Sequence, residues 1–171
     1  TRKIWQQKTR DLVTGAGEEN TQILAEIEPF RERFMQIAQA PDCNLVRDWE
    51  NAEGVVDPYY GSAIELSRLM INYAGYQGRR GQSAEAFRTL HKVRRFAQMY
   101  AQDGGMDAVS AHMLIESITI SMGQELVLIS DYNPAVISEF KRFAADRETR
   151  PNLMRATEGE AMRTIFTLSQ A

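Results

Sequence analysis

The amino-acid sequence predicts an all-α fold of six to seven antiparallel helices, arranged as an array or bundle of helical hairpins. Three observations support this prediction. Apolar residues recur at three- and four-residue steps through most of the chain, which is the spacing of one face of an α-helix. Glycine, proline and aspartate separate these segments at positions where helices usually start and stop. No stretch of useful length alternates apolar and polar residues, as a half-buried strand would.

Two helical regions are expected in residues 1–40. The first covers residues 3–13 and ends at Gly15, because glycine favours helix C-termini. The second covers residues 20–40 and has a buried row of apolar residues. This row contains Ile23, Leu24, Ile27, Phe30, Phe34 and Ile37. Pro29 should divide or kink this helix, since proline lacks an amide donor and clashes with the preceding turn.

An irregular acidic loop is expected at residues 41–57. Its carboxylates are Asp42, Asp48, Glu50, Glu53 and Asp57. A loop this long is either functional or fixed by anchors such as Trp49. Several carboxylates at short spacing could bind calcium, but the order of ligands found in an EF-hand is absent. We therefore expect this loop to pack against a basic helix.

Residues 58–130 are expected to form three core helices. Asp57 and Pro58 supply a capping carboxylate and a proline at the first helical position, which together mark a helix start. Gly81 lies in the turn between the first and the second of these helices. Asp107 should cap the third helix.

The third core helix, residues 107–130, has apolar residues on nearly every side. A helix of this kind must be covered on several sides. We therefore predict that it is the centre of the fold, wrapped by its neighbours. It does not resemble a membrane span, because His112, Glu116 and Glu125 interrupt it and a charge at bilayer depth costs about 3 kcal/mol.

The remaining residues, 131–171, should contain C-terminal helices that begin at Asn133-Pro134 and at Pro151. With 171 residues, the chain is long enough to bury about 70% of its unfolded surface as a single all-helical domain. Its one cysteine, Cys43, excludes an internal disulfide.

Charge is distributed unevenly along the chain. Residues 1–57 carry 7 basic and 11 acidic side chains, residues 58–102 carry 7 and 2, and residues 103–171 carry 6 and 10. A segment of net charge +5 thus lies between two segments of −4 each, and the formal net charge is −3. The simplest use of this pattern is internal pairing between acidic segments and the basic helix.

The basic helix and its preceding turn contain Arg79, Arg80, Arg88, His91, Lys92, Arg94 and Arg95. On a helical wheel Arg88, Lys92 and Arg95 share one side, whereas Arg94 lies nearer the apolar side. Nucleic-acid binding would require such charges to face solvent together, with stacking aromatic residues nearby. A solvated or internally paired face fits the whole-chain charge better, so we expect no nucleic-acid partner.

Two polar residues of the apolar helix, His112 and Glu116, lie four positions apart, so their side chains can meet. A metal site would need at least two more ligands, and no second helix offers a matching histidine or Glu-x-x-His pair. We therefore expect a buried or half-buried structural pair. No P-loop, G-x-G-x-x-G, G-x-S-x-G or H-E-x-x-H motif occurs. The sequence predicts no catalytic residue, no metal ligand and no cofactor.

Several short motifs carry a resemblance to known proteins. They are Pro41-Asp42-Cys43, Asp48-Trp49-Glu50, the helix around residues 66–74, the turn at residues 81–86 and the late segment at residues 155–161. In this succession, together with its apolar helix, the chain resembles a group of uncharacterised bacterial all-helical proteins. It departs from their pattern at Asn44-Leu45, where they have an aromatic residue followed by proline. The turn before Ala86 is also similar to that of tetratricopeptide-like helical hairpins, in which a small turn precedes an alanine-rich helix start.

Members of this group commonly have a hydrophobic N-terminal segment. The resemblance therefore implies an extracytoplasmic, membrane-anchored protein whose anchor lies upstream of Thr1. It implies no enzymatic activity.

The leading functional hypothesis is a non-enzymatic scaffolding module that binds a protein or peptide in a groove between helices. Exposed tyrosine and arginine are frequent anchors of such interfaces. The expected binding residues are Tyr59, Tyr60, Tyr73, Tyr76, Arg79, Arg80, Arg88 and Lys92. The alternative is a small-ligand-binding protein or an enzyme with a pocket among Trp49, His112 and Glu116. An open face with tyrosine and arginine favours the first hypothesis, and a closed cavity with convergent polar groups favours the second.

Overall fold

The computed structural model describes residues 19–39, 60–102 and 105–145. Within these ranges it contains five α-helices and no strand, so the predicted all-α fold is confirmed for this part of the chain. The helices are α1 (Glu19–Ile37), α2 (Tyr60–Arg79), α3 (Ser83–Gln102), α4 (Met106–Ile129) and α5 (Pro134–Ala145). The predicted helix at residues 3–13, the acidic loop at 41–57 and the last helix from Pro151 lie outside the described residues.

The turn between α2 and α3 is built around Gly81. The Gly81 amide donates to the carbonyl of Gly78 at 3.0 Å, and the Gln82 amide donates to the carbonyl of Gln77 at 2.9 Å. These two hydrogen bonds form a Schellman motif, which requires a left-handed residue just after the helix. Gly81 adopts this conformation with a φ of 76°, and it does so without steric cost because it has no Cβ.

Other helix ends partly follow the sequence signals. The Asn133 side chain accepts a hydrogen bond from the Val136 amide at 3.0 Å, and Pro134 is the first residue of α5, as predicted. Asp107 does not cap α4, because Gly105 occupies the N-cap without a side-chain hydrogen bond and Asp107 lies in the first turn. Pro29 does not divide α1, which continues through it.

Among the described helices α3 is the most deeply buried, and the prediction that residues 107–130 form the central helix is not confirmed. Twelve of the 20 residues of α3 are buried, compared with eight of the 24 residues of α4. α3 packs against α2, α4 and α5, and its Phe96 ring lies 5.2 Å from the ring of Phe34 in α1. Apolar residues on all sides of a helix show that burial would be favourable, but they do not show which neighbours are available to cover it.

The neighbouring helices in the described ranges cover only one side of α4. The buried side consists mainly of small residues, including Ala108, Ala111, Thr119 and Gly123, which allow close packing. The opposite side leaves large apolar side chains exposed, among them Met113 at 63% and Leu128 at 85% of their full surface. α4 is therefore a peripheral helix with one core face. No helix in the described ranges is both long enough and apolar enough to cross a membrane.

Two glycines permit the close approach of α4 to its neighbours. A Cβ at Gly78 of α2 would lie 2.1 Å from the Cδ2 atom of Leu126. A Cβ at Gly123 would lie 2.6 Å from the Cε1 atom of Phe143 in α5. Any larger residue at either position would displace a buried side chain.

Candidate functional site

The buried polar centre of the fold is formed by Arg94 of α3. Its guanidinium forms a bidentate ion pair with Glu116 of α4, in which Nε donates to Oε2 at 3.0 Å and Nη2 donates to Oε1. Its Nη1 donates to the carbonyl oxygen of Phe143, and its Cζ atom lies 5.2 Å from the centre of the Phe143 ring. That carbonyl is one of the last four of α5, which have no partner within the helix. Arg94 thus connects three helices, which is a structural role.

His112 lies in the same polar region, and it is buried while Glu116 is half-buried, as the sequence predicts for these two residues. The carboxylate of Glu116 is hydrogen-bonded to Arg94 and not to His112. The His112 Nδ1 atom is buried without a hydrogen-bond partner among the described residues. Burial lowers the pKa of His112, the charge of Arg94 lowers it further, and the charge of Glu116 opposes both effects. A neutral imidazole is therefore favoured at this position.

The predicted pocket among Trp49, His112 and Glu116 is not brought together within the described structure, since Trp49 lies outside it. Among the described residues, no group of three or more histidine, cysteine, aspartate or glutamate side chains is placed to hold a metal ion. The polar centre around Arg94 consists of one satisfied ion pair and one neutral histidine. The ion pair stabilises the packing of α3, α4 and α5.

A second candidate site lies on the outer side of α2. The rings of Tyr73 and Tyr76 have centres 6.4 Å apart with planes at 32°, and both side chains are half-buried. The guanidinium of Arg31 in α1 lies 6.0 Å from the centre of the Tyr73 ring, which is within cation–π range. Arg31 is itself oriented by Glu28, whose carboxylate accepts from Nε at 2.8 and 2.9 Å. The guanidinium of Arg31 is thus oriented against the Tyr73 ring by its hydrogen bonds to Glu28.

The surroundings of Tyr73 shift its pKa. Burial raises the pKa of Tyr73, and the positive charge of Arg31 acts in the opposite direction. Smaller effects come from the negative charges of Glu28 in α1 and Glu85 in α3. Among these charged residues, Arg31 of α1 is the one whose contact with this ring is direct.

Two arginines extend this surface at the end of α2. Arg79 and Arg80 are exposed, and neither forms an ion pair with an acidic residue in the described ranges. Tyr73, Tyr76 and Arg80 follow one another at steps of three and four residues, so they share one side of the chain. We call Arg31, Tyr73, Tyr76, Arg79 and Arg80 the tyrosine–arginine surface.

The predicted binding residues do not all join this surface. Tyr60 is the first residue of α2 and is half-buried. It lies 13 residues before Tyr73, about 20 Å away along the helix axis at a rise of 1.5 Å per residue. Tyr59 lies outside the described residues.

Arg88 and Lys92 lie on the outer strip of α3, between its contacts with α1 and α5. Phe87 packs against Phe140 of α5 with ring centres 5.4 Å apart, and Phe96 faces α1 on the opposite side of α3. At 3.6 residues per turn, Arg88 and Lys92 project into the sector between these two phenylalanines. The outer strip of α3 is therefore flanked by α1 and α5.

The two cations of this strip have different surroundings. Arg88 donates to Glu139 of α5 at 3.1 Å and to Glu85 at 2.5 Å. The pKa of Lys92 is lowered by burial first, and then by the nearby positive charges of Arg95 and Arg142. Internal pairing of the basic helix is thus confirmed for Arg88 and Arg94, with partners in α3, α4 and α5. The acidic loop that was expected to pair with it lies outside the described residues.

Comparisons with protein-family models, curated proteins and solved structures find no match for this chain. The resemblance to bacterial all-helical proteins therefore stays a prediction. The functional assignment depends on the surfaces described above.

Proposed function

We propose that this chain is a non-enzymatic helical module that binds a protein or peptide partner through the tyrosine–arginine surface. In this proposal, α2 and α3 act as a tetratricopeptide-like helical hairpin, and α2 presents Tyr73, Tyr76, Arg79 and Arg80. The observation that supports it most strongly is the half-exposed tyrosine pair beside one oriented cation and two exposed arginines. Tyrosine and arginine are the residues most enriched at the energetic centres of protein interfaces.

The charge of this region favours an acidic partner segment. Arg79 and Arg80 are exposed at the end of α2, where their charges also interact favourably with the helix dipole. Neither arginine forms an ion pair with an acidic residue in the described ranges, so a carboxylate of a partner can pair with either of them. We therefore expect the bound peptide to carry aspartate or glutamate next to an aromatic or apolar residue.

A selection from a random peptide library tests this function. We expect the purified chain to enrich peptides with acidic residues. The Arg79→Glu/Arg80→Glu variant should bind them at least about 10-fold more weakly, which corresponds to about 1.4 kcal/mol. Arg68→Glu is a matched control, because Arg68 is an exposed arginine on the same helix outside the surface. Its affinity should stay within about twofold of the wild type.

Tyr73→Ala tests the aromatic part of the surface separately. We expect a loss of about 1 to 2 kcal/mol in binding, provided that circular dichroism shows an unchanged helix content. Failure to enrich any peptide, or equal binding by the wild type and the charge-reversed variant, would reject this surface as the binding site.

A further inference from the structure

We propose that the outer face of α4 is a homodimer interface, in which α4 packs antiparallel against α4 of a second copy of this chain. This inference concerns a different surface from the proposed peptide site and does not depend on it. It starts from the exposed side of α4, which no described helix covers.

Along the exposed side of α4, large and small side chains alternate in a seven-residue repeat. Large apolar residues recur every seven positions at Met106, Met113, Ile120 and Val127, and smaller or polar residues recur at Ser110, Ser117 and Gln124. The two sets alternate at steps of four and three residues, which is the spacing of a coiled-coil seam. Met106, Met113 and Ile120 are exposed, as are Ser110, Ser117 and Gln124. Val127 is half-buried.

Such a seam is complementary to itself when two copies run in opposite directions. In an antiparallel pair, a residue of the large set in one helix lies opposite a residue of the smaller or polar set in the other helix. Each layer of the interface therefore contains one large and one small side chain. With the two-fold axis between Ile118 and Thr119, Ser117 faces Ile120 of the second copy and Met113 faces its Gln124. The same register places Ser110 opposite Val127 of the second copy.

The distribution of charge on α4 also favours a second copy as the partner. Glu125 is the only exposed residue of α4 that carries a charge, and it is not one of the seam positions. The one acid of the central part, Glu116, is directed inward and paired with Arg94. A second copy can therefore lie on this face without burying like charges, which would cost several kcal/mol at an interface.

The size of the face predicts a reversible dimer. The 24 residues of α4 form a helix about 36 Å long and about 10 Å wide. This is a small area for a protein interface, so we expect dissociation in the micromolar range.

Light scattering coupled to size-exclusion chromatography tests the dimer. Over concentrations from about 1 to about 500 µM, which bracket a micromolar Kd, the mass should rise from 19.4 kDa towards twice that value. The Met113→Glu/Ile120→Glu variant should keep the mass of one chain throughout and retain its helical circular dichroism. Leu128→Glu provides a second variant at the most exposed position, in case the double variant does not fold. Ser138→Glu places the same charge on an exposed position of α5 and should behave like the wild type.

Cross-linking tests the direction of the helices. In a Cys43→Ser background, which removes the only native thiol, a single cysteine replaces either Ser117 or Ser110. Antiparallel pairing places the two Ser117 positions about 4.5 Å apart along the axis and the two Ser110 positions about 26 Å apart. A short bismaleimide should therefore link Ser117→Cys but not Ser110→Cys, whereas parallel pairing would link both.

Three results would overturn the proposal. The first is a constant mass of 19.4 kDa for the wild type, which would assign the α4 face to another segment of the same chain or to a different protein. The second is unchanged dimerisation of the charged variants. The third is equal cross-linking at both cysteine positions.

Discussion

Arg94 illustrates at the scale of single residues what the sequence can and cannot indicate. Its helical-wheel position placed it nearer the apolar side, and in the structure it is buried, at 5% exposure. Its partners were not predictable, because Glu116 and the carbonyl of Phe143 lie 22 and 49 residues away in sequence. The four-residue spacing of His112 and Glu116 suggested a local pair, but a bidentate arginine offers the carboxylate two charge-assisted hydrogen bonds. Glu116 therefore pairs with Arg94, which is distant in sequence, and not with His112, which is nearby.

Removing the Arg94 guanidinium should destabilise the fold strongly. Arg94→Met would leave the Glu116 carboxylate, whose side chain is only 21% exposed, without its cation, and the Phe143 carbonyl without its donor. We expect the free energy of unfolding, measured by urea denaturation, to fall by about 2 to 4 kcal/mol. The double variant Arg94→Met/Glu116→Gln should recover part of this loss. Arg68→Met is the control, because its ion pair with Glu65 is more exposed and should contribute no more than about 1 kcal/mol. Similar losses for both single variants would contradict the role of Arg94.

His112 should make the stability of the fold depend on pH. Its folded-state pKa is lowered from the ordinary value of 6.5, so the unfolded chain binds a proton that the folded chain excludes. This contribution to stability is fully present above about pH 6.5 and is lost as the pH falls below that value. His112→Gln should flatten the pH dependence between pH 7.5 and 5.5. A wild-type stability that rises on acidification through this range would contradict the burial of His112.

At the scale of helices, local signals were predictable and packing partners were not. The turn at Gly81 and the start of α5 at Asn133-Pro134 depend on residues within one helical turn, so the sequence predicts both correctly. The covered face of α4 depends on which helices lie beside it, and periodicity does not contain this information. The close contacts at Gly78 and Gly123 were missed for the same reason, since each depends on a side chain of another helix.

The close contact at Gly123 can be tested with one methyl group. In Gly123→Ala the new Cβ would collide with the Phe143 ring, which is buried against Phe87 and Arg94. Overpacking costs about 1 to 3 kcal/mol and exceeds the gain of about 1 kcal/mol that alanine brings to a helix. We expect a net loss of about 1 kcal/mol in thermal or urea unfolding.

Gly75→Ala is the matched control for this variant. At Gly75 the new Cβ would meet only the end of the flexible Met122 side chain, at 3.0 Å. Its stability should equal or exceed that of the wild type, since Met122 can move and alanine favours the helix. A stabilised Gly123→Ala protein would show that α4 and α5 are not in close contact.

At the scale of the whole molecule, the described helices differ in burial, with α3 the most buried and α4 exposed along one side. The sequence predicted the all-helical class because apolar periodicity is repeated throughout the chain. It did not predict the deep burial of α3, because the strongly apolar composition of residues 107–130 indicated that α4 would be the most buried helix. In α3, Arg94 is buried and pairs with Glu116 of α4. The apolar side chains of α4 that no described helix covers remain at the surface, where we propose the dimer interface.

Methionine oxidation followed by mass spectrometry tests this arrangement most directly. Met106 and Met113 lie on the exposed side of α4, whereas Met70 of α2 and Met99 of α3 are 0% and 5% exposed. With dilute protein and hydrogen peroxide, we expect Met106 and Met113 to become sulfoxides well before Met70 and Met99. At high protein concentration the dimer should slow oxidation at Met113. Protection of Met113 equal to that of Met70 at every concentration would show that α4 is enclosed by its own chain, and would contradict both its peripheral position and its proposed interface.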